Sequence, residues 1–165
     1  MTPDRDVTSF ADRLTALEAA YGAPSQAAFG SSVFSEILAP GDSLEQHAGD
    51  WYRHFLGDRW TAVGEEVWMG SWKEVHRRPD GAAPDIVAEL RAITDPDARV
   101  SAPMILDVVE DAERARAALT GAFDDPSLTE LRAFNLGDGA AMSGILVAGR
   151  AGATGDAVFL VFLLD

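Results

Sequence analysis

An α+β fold is predicted by three features of the 165-residue chain. Apolar residues recur at helical spacing through the N-terminal third. The C-terminal third switches to short, largely aliphatic runs separated by glycine-rich links. Between them a strand-like run is followed directly by a helical one, the order of a crossover unit. The expected architecture is one domain over 1–165: a helical N-terminal half packed on a four-stranded mixed sheet, built as a βαβ unit followed by an antiparallel meander.

Phe10, Leu14, Leu17 and Tyr21 mark the first helix, with Thr8 or Asp6 as candidate caps. "GAP" at 22–24 ends it. From Ser25 a second stripe runs through Ala28, Phe29, Val33, Phe34 and Ile37, again at helical spacing. "APGD" at 39–42 breaks that segment, and Ser43 with Gln46 three residues on forms a capping-box pattern. The third helix, about 43–57, puts Leu44, Ala48, Trp51 and Phe55 on one face.

The stretch 58–81 admits two readings. Trp60, Val63, Val67, Trp72 and Val75 fit a helical stripe, whereas Gly64 and Gly70 suit a hairpin turning at Gly70. The spacing favours helix over 58–77. "RRPDGAAP" then reads as a loop and "DIVAELRAI" as a short helix.

"PMILDVV" (103–109) reads as a strand and "DAERARAALTGAF" (111–123) as a helix. With "TELRAFNL" (129–136) they would make a parallel, right-handed crossover. "SGILVAG" (143–149) and "DAVFLVFLL" (156–164) complete the meander through short glycine-rich links. Neither of these last two runs alternates apolar with polar residues. Such strands are apolar on both faces, so the sheet should be covered on both sides.

Composition narrows the function classes. A formal charge of −14 repels phosphate backbones and anionic membrane surfaces. It suits a basic protein partner. No cysteine is present, which removes disulfides, thiolate metal sites and cysteine nucleophiles. The longest apolar run, Ala157 to Leu164, falls far short of the roughly 20 residues of a membrane span. The first residues carry charges where a secretory signal would be apolar, so the chain reads as soluble and cytoplasmic.

"NLGDGAAMSG" (135–144) raises the question of nucleotide binding. Gly137 and Gly139 fit a dinucleotide fingerprint, but Met142 stands where its third glycine belongs, and no lysine follows. Asp138-Gly139 is instead a favoured pair for a hairpin corner. In a parallel pair of 103–109 and 129–136, the strand ends would gather Asp107, Glu110, Asp111, Asn135 and Asp138, oxygen ligands suited to Mg²⁺ or Ca²⁺. Against this, Asp111 can cap the following helix and Asp138 can close the turn.

His47 and His54 lie seven residues apart on one helical face, near Asp50 and Asp58, and are candidate metal ligands. That spacing spans about 10 Å of helix, wider than the usual i, i+4 pair. Trp51, Trp60, Trp68 and Trp72 crowd together with Tyr52 and Phe55, as a ligand-pocket lining or as core. No Ser-His-Asp set and no Gly-x-Ser-x-Gly elbow is legible.

The leading expectation is a small acidic, non-catalytic interaction or regulatory protein with a basic partner and no cofactor. The alternatives are a small-molecule binding module with a Trp-lined pocket, and a metal-dependent enzyme using the carboxylate edge. A homodimer whose partner covers part of the sheet also fits.

Overall fold

The computed structural model describes residues 9–164. The elements run α1 (Phe10–Tyr21), β1 (Gly30–Ile37), α2 (Leu44–Leu56), α3 (Asp58–Val63), α4 (Glu65–Gly70), β2 (Lys73–Arg77), α5 (Ile86–Arg91), α6 (Ala98–Asp107), α7 (Ala112–Phe123), β3 (Leu128–Gly137), β4 (Ser143–Ala151) and β5 (Asp156–Leu164). The strands form one five-stranded sheet in the order β1-β5-β4-β3-β2, and every neighbouring pair is antiparallel.

The α+β class holds, but the four-stranded mixed sheet does not. No βαβ unit exists among the described residues, because residues 103–107 of "PMILDVV" end α6 and Val108 and Val109 follow it outside any strand. Helix α6 buries Ala98, Ser101, Ala102, Ile105 and Leu106 along one face, against the sheet and neighbouring helices, while Arg99, Val100 and Asp107 are exposed. The run 103–109, taken alone, is too short and too uniformly apolar for the helical period to separate helix from strand. Pro103 sits inside the helix and did not prevent it.

The helical N-terminal half is likewise interrupted. The stripe from Ala28 to Ile37 contains β1, which pairs with β5 from Gly30↔Leu163 to Ile37↔Asp156. Val33 and Phe34 are adjacent yet both buried, and they enter different cores. That is the signature of a strand covered on both faces rather than a helix stripe. The stretch 58–77 is a mixture: two short helices hinged at Gly64, whose φ is 109°, then β2. The candidate caps Thr8 and Asp6 lie outside the described residues. The observed cap of α1 is Ser9, whose hydroxyl accepts the Asp12 N–H at 3.1 Å.

The meander β3-β4-β5 and the helix at 111–123 form as the sequence indicated. Ser43 caps α2 by accepting the Gln46 N–H at 3.2 Å. Both faces of the sheet are covered. On the first, α1, α5, α6 and α7 pack on Val33, Leu131, Ile145, Val147, Val158 and Leu160. On the second, α2, α3 and α4 pack on Phe34, Phe134, Leu146, Phe159, Val161 and Leu163. Alternate residues of β5 therefore feed two cores, which explains why its sequence does not alternate in polarity. Buried Arg150 of β4 donates to the carbonyls of Ala39 and Asp42, pinning the β1–α2 loop to the second face.

Candidate functional site

The glycine-rich stretch closes as a hairpin corner. Gly137 and Gly139 take φ values of 138° and 76°, open to glycine and unfavourable to most residues. The Asp138 carboxylate accepts the N–H groups of Ala140 at 2.8 Å and Met142 at 3.1 Å. Strand β4 follows, not a helix, so the corner lacks the helix N-terminus on which a pyrophosphate would rest.

Beside the corner lies a cleft of about 470 Å³, lined by Ser71, Lys73, Asp97, Asn135, Met142 and Ser143 among others. Lys73 and Asn135 stand directly opposite each other across β2 and β3. Ala133 and Leu131, which share Asn135's face of β3, belong to the α6-covered core. Asn135 is thus an amide where the strand pattern otherwise places apolar side chains, and it is only 3% exposed. Its Nδ2 donates to the Ser71 carbonyl at 2.7 Å, while Oδ1 is buried without a hydrogen-bond partner among the described residues. Leaving such an acceptor unpaired costs about 1–3 kcal/mol. Lys73, the chain's only lysine, reaches Asp97 at 2.8 Å and Asp95 at 2.9 Å. Hydrogen bonds donated to Asp97 and Asp95 hold its ammonium above the ordinary lysine pKa.

The candidate metal ligands are not brought together. Asp107 ends α6, where Arg91 holds it at 3.0 Å and Arg116 at 3.3 Å. Asp111 caps α7 by accepting the Arg114 N–H, and Asp138 closes the hairpin corner. His47 Nδ1 lies 3.0 Å from Glu36 and its Nε2 3.7 Å from Asp42, whereas His54 faces Gln26 and the Trp51 ring. Among the described residues no group of three or more His, Asp or Glu is placed to hold a metal ion. The parallel strand edge that would have gathered the carboxylates does not form.

The tryptophans pack on the second face. Trp68 is fully buried and Trp60 nearly so. Trp51 stacks on Phe34, and Trp72 on Phe134, each pair with ring centroids 4.7 Å apart. Their indole N–H groups donate to Glu36 and Glu45 respectively. None of the four lines the corner cleft.

Charge is distributed unevenly between partners. Arg132 alone meets Glu45, Glu74 and Glu130 at 3.1–3.4 Å, and Arg78 meets Glu89 and Asp124 at 2.9 and 3.0 Å. Several cations are thus shared by more than one acid, and the surplus of carboxylates remains outside. Asp58, Glu65 and Glu66 are exposed on the α3–α4 shoulder, where Val63 (42%) and Val67 (39%) are exposed too. Glu110, Asp111 and Glu113 are exposed on the opposite layer.

Of the cleft residues, the sequence singled out Asn135 and the glycine-rich corner but missed Ser71, Lys73, Asp97 and Ser143. The available signals were a solitary lysine and a polar residue on the apolar face of "LRAFNLG". No helix among the described residues is long and apolar enough to cross a membrane. Comparison with protein-family models, curated proteins and solved structures finds no match for this chain.

Proposed function

We propose that the protein is a non-catalytic binding protein that engages a basic protein partner through its acidic helical surface. The α3–α4 shoulder carries this reading. There Val63 and Val67 are exposed, and the same two short helices expose the carboxylates of Asp58, Glu65 and Glu66 against one exposed cation, Arg59. Scattered exposed valines are ordinary. An apolar centre with an acidic rim is the complement of lysine and arginine side chains, whose stems lie on apolar surface while their heads reach carboxylates. The formal charge of −14 adds a long-range attraction for such a partner.

The test pairs capture with charge reversal. The native lysate is passed over the protein at low and high salt, and association kinetics are measured on each captured protein. Glu65→Lys combined with Glu66→Lys should slow association by about tenfold or more, within the range that electrostatic steering supplies. Captured proteins that are acidic, or whose association ignores both salt and charge reversal, would remove the proposal.

A further inference from the structure

We infer that the cleft at the β3–β4 corner is a binding site for a small molecule bearing a carboxamide group. This is independent of the acidic shoulder: the cleft sits at the end of the sheet, between the Gly70–Lys73 turn and the start of α6, and none of Asp58, Val63, Glu65, Glu66 and Val67 lines it. The cleft's volume, about 470 Å³, falls within the range of small-ligand sites.

Two side chains define the chemistry. The Asn135 amide is oriented by its Nδ2–H bond to the Ser71 carbonyl, which leaves Oδ1 as a buried acceptor in need of a donor. Lys73, directly opposite on β2, has three N–H groups. Asp95 and Asp97 take two of them, and among the described residues no acceptor meets the third. The site thus places one donor at the cleft wall and one unpaired acceptor just beneath it, on neighbouring strands.

A carboxamide matches both at once, with N–H toward Asn135 and C=O toward Lys73. A carboxylate brings no donor for Asn135 and is repelled by Asp97. An amine brings no acceptor for Lys73. Leu136, Met142 and Val100 supply apolar wall for the rest of the ligand, and the Ser71 and Ser143 hydroxyls can meet further polar atoms. Asn135 Oδ1 is itself shielded from solvent, so binding requires the Ser71 turn to give locally. The backbone of residues 70–73 should therefore respond to the ligand.

The experiment titrates the isotope-labelled full chain with acetamide, benzamide and nicotinamide, followed by NMR. Benzoate, methyl benzoate and benzylamine are the matched controls. The expected result is saturable shifts at Ser71, Lys73, Asn135 and Ser143 with at least one carboxamide, and about tenfold or weaker binding of the controls, since a site built to hydrogen-bond a group rejects analogues that lack it. Lys73→Met, at a half-exposed position, should weaken carboxamide binding by about tenfold while unfolding stays cooperative. Asn135→Leu should abolish binding. If Asn135→Leu fails to fold, Lys73→Met decides alone. No saturable shift with any carboxamide, equal binding of the controls, or unchanged affinity in Lys73→Met would each overturn the assignment.

Discussion

The Tyr52 hydroxyl, buried on α2, accepts the backbone N–H of Gly137 at 3.1 Å and so ties the tryptophan-rich layer to the end of β3. The ring sits among Trp60, Trp68 and Trp72, with centroids about 6 Å away. Burial pushes the phenol's pKa well above its ordinary value; the Gly137 hydrogen bond opposes this and the nearby Asp138 carboxylate adds to it. The group is a neutral hydrogen-bonding partner at every physiological pH.

Tyr52→Phe keeps the packing and removes the acceptor. The Gly137 N–H is then left unpaired in a buried setting, at a cost of about 1–3 kcal/mol. Thermal or urea unfolding should show that loss, with the far-ultraviolet spectrum unchanged. A variant as stable as the parent would mean that the Gly137 N–H reaches water.

Two glycines of the same hairpin should behave differently. A Cβ at Gly144 would run into the Phe162 carbonyl oxygen and stand 2.8 Å from Leu163 Cα, both backbone atoms that cannot turn aside. Gly144→Ala should cost about 3 kcal/mol or more by overpacking β4 against β5. At Gly139 the nearest atom is the Ser71 hydroxyl at 3.6 Å, and only the φ of 76° is unfavourable. Gly139→Ala should cost about 1–2 kcal/mol, the left-handed penalty alone. Denaturant titration of both variants makes the comparison, and equal losses would contradict it.

Arg78 carries two carboxylates with opposite responses to pH. Burial pushes Glu89 upward, but bonds from Arg78, the Asp85 N–H and His76 outweigh it and hold the carboxyl below its ordinary 4.5. A depressed carboxyl contributes stability that is complete above its unfolded pKa and is lost as pH falls through the folded value. Burial raises Asp124, so its contribution lies on the acid side and is lost as pH rises through its folded value. Melting temperatures measured downward from pH about 4.5 should therefore fall less steeply in Glu89→Gln than in the parent. Parallel acid limbs would show that the Arg78–Glu89 pair adds nothing.

Removing residues 157–165 should unfold the protein, because β5 lies between β1 and β4 and supplies Val158, Leu160 and Phe162 to one core and Phe159, Val161 and Leu163 to the other. Phe159→Ala, a milder change, should cost about 3–5 kcal/mol. Cooperative melting of the truncated chain near the parent's temperature would contradict this.

The importance of β5 was legible in the sequence because eight consecutive apolar residues leave a strand nowhere to expose a face. The hairpin corner was legible for a similarly local reason: Asp138 closes its own turn and the glycines permit it. What failed was non-local. Nothing near Val33 and Phe34 announces that Leu160 and Phe159, about 125 positions later, will pair with them, and their spacing fits a helix equally well. For "PMILDVV" the ambiguity came from apolar residues outside the buried face, Val108 at 60% exposed among them, which blur a short helical stripe. The cleft stayed hidden for a related reason. Lys73, Asp97, Asn135 and Ser143 come from four separate segments, and only the pairing of β2 with β3 and the docking of α6 bring them together.

The most direct test of the proposed acidic interaction is the association rate of a captured basic partner as a function of ionic strength. Surface charges further apart than about 8–10 Å are largely screened at 0.1–0.15 M salt, so steering by the α3–α4 carboxylates should weaken steeply over that range. The predicted result is an association rate that drops with salt in the parent and is slow and nearly salt-independent in the Glu65→Lys, Glu66→Lys variant, with dissociation changed much less. A rate that is flat in salt for the parent, or a salt dependence unchanged by the reversal, would contradict it.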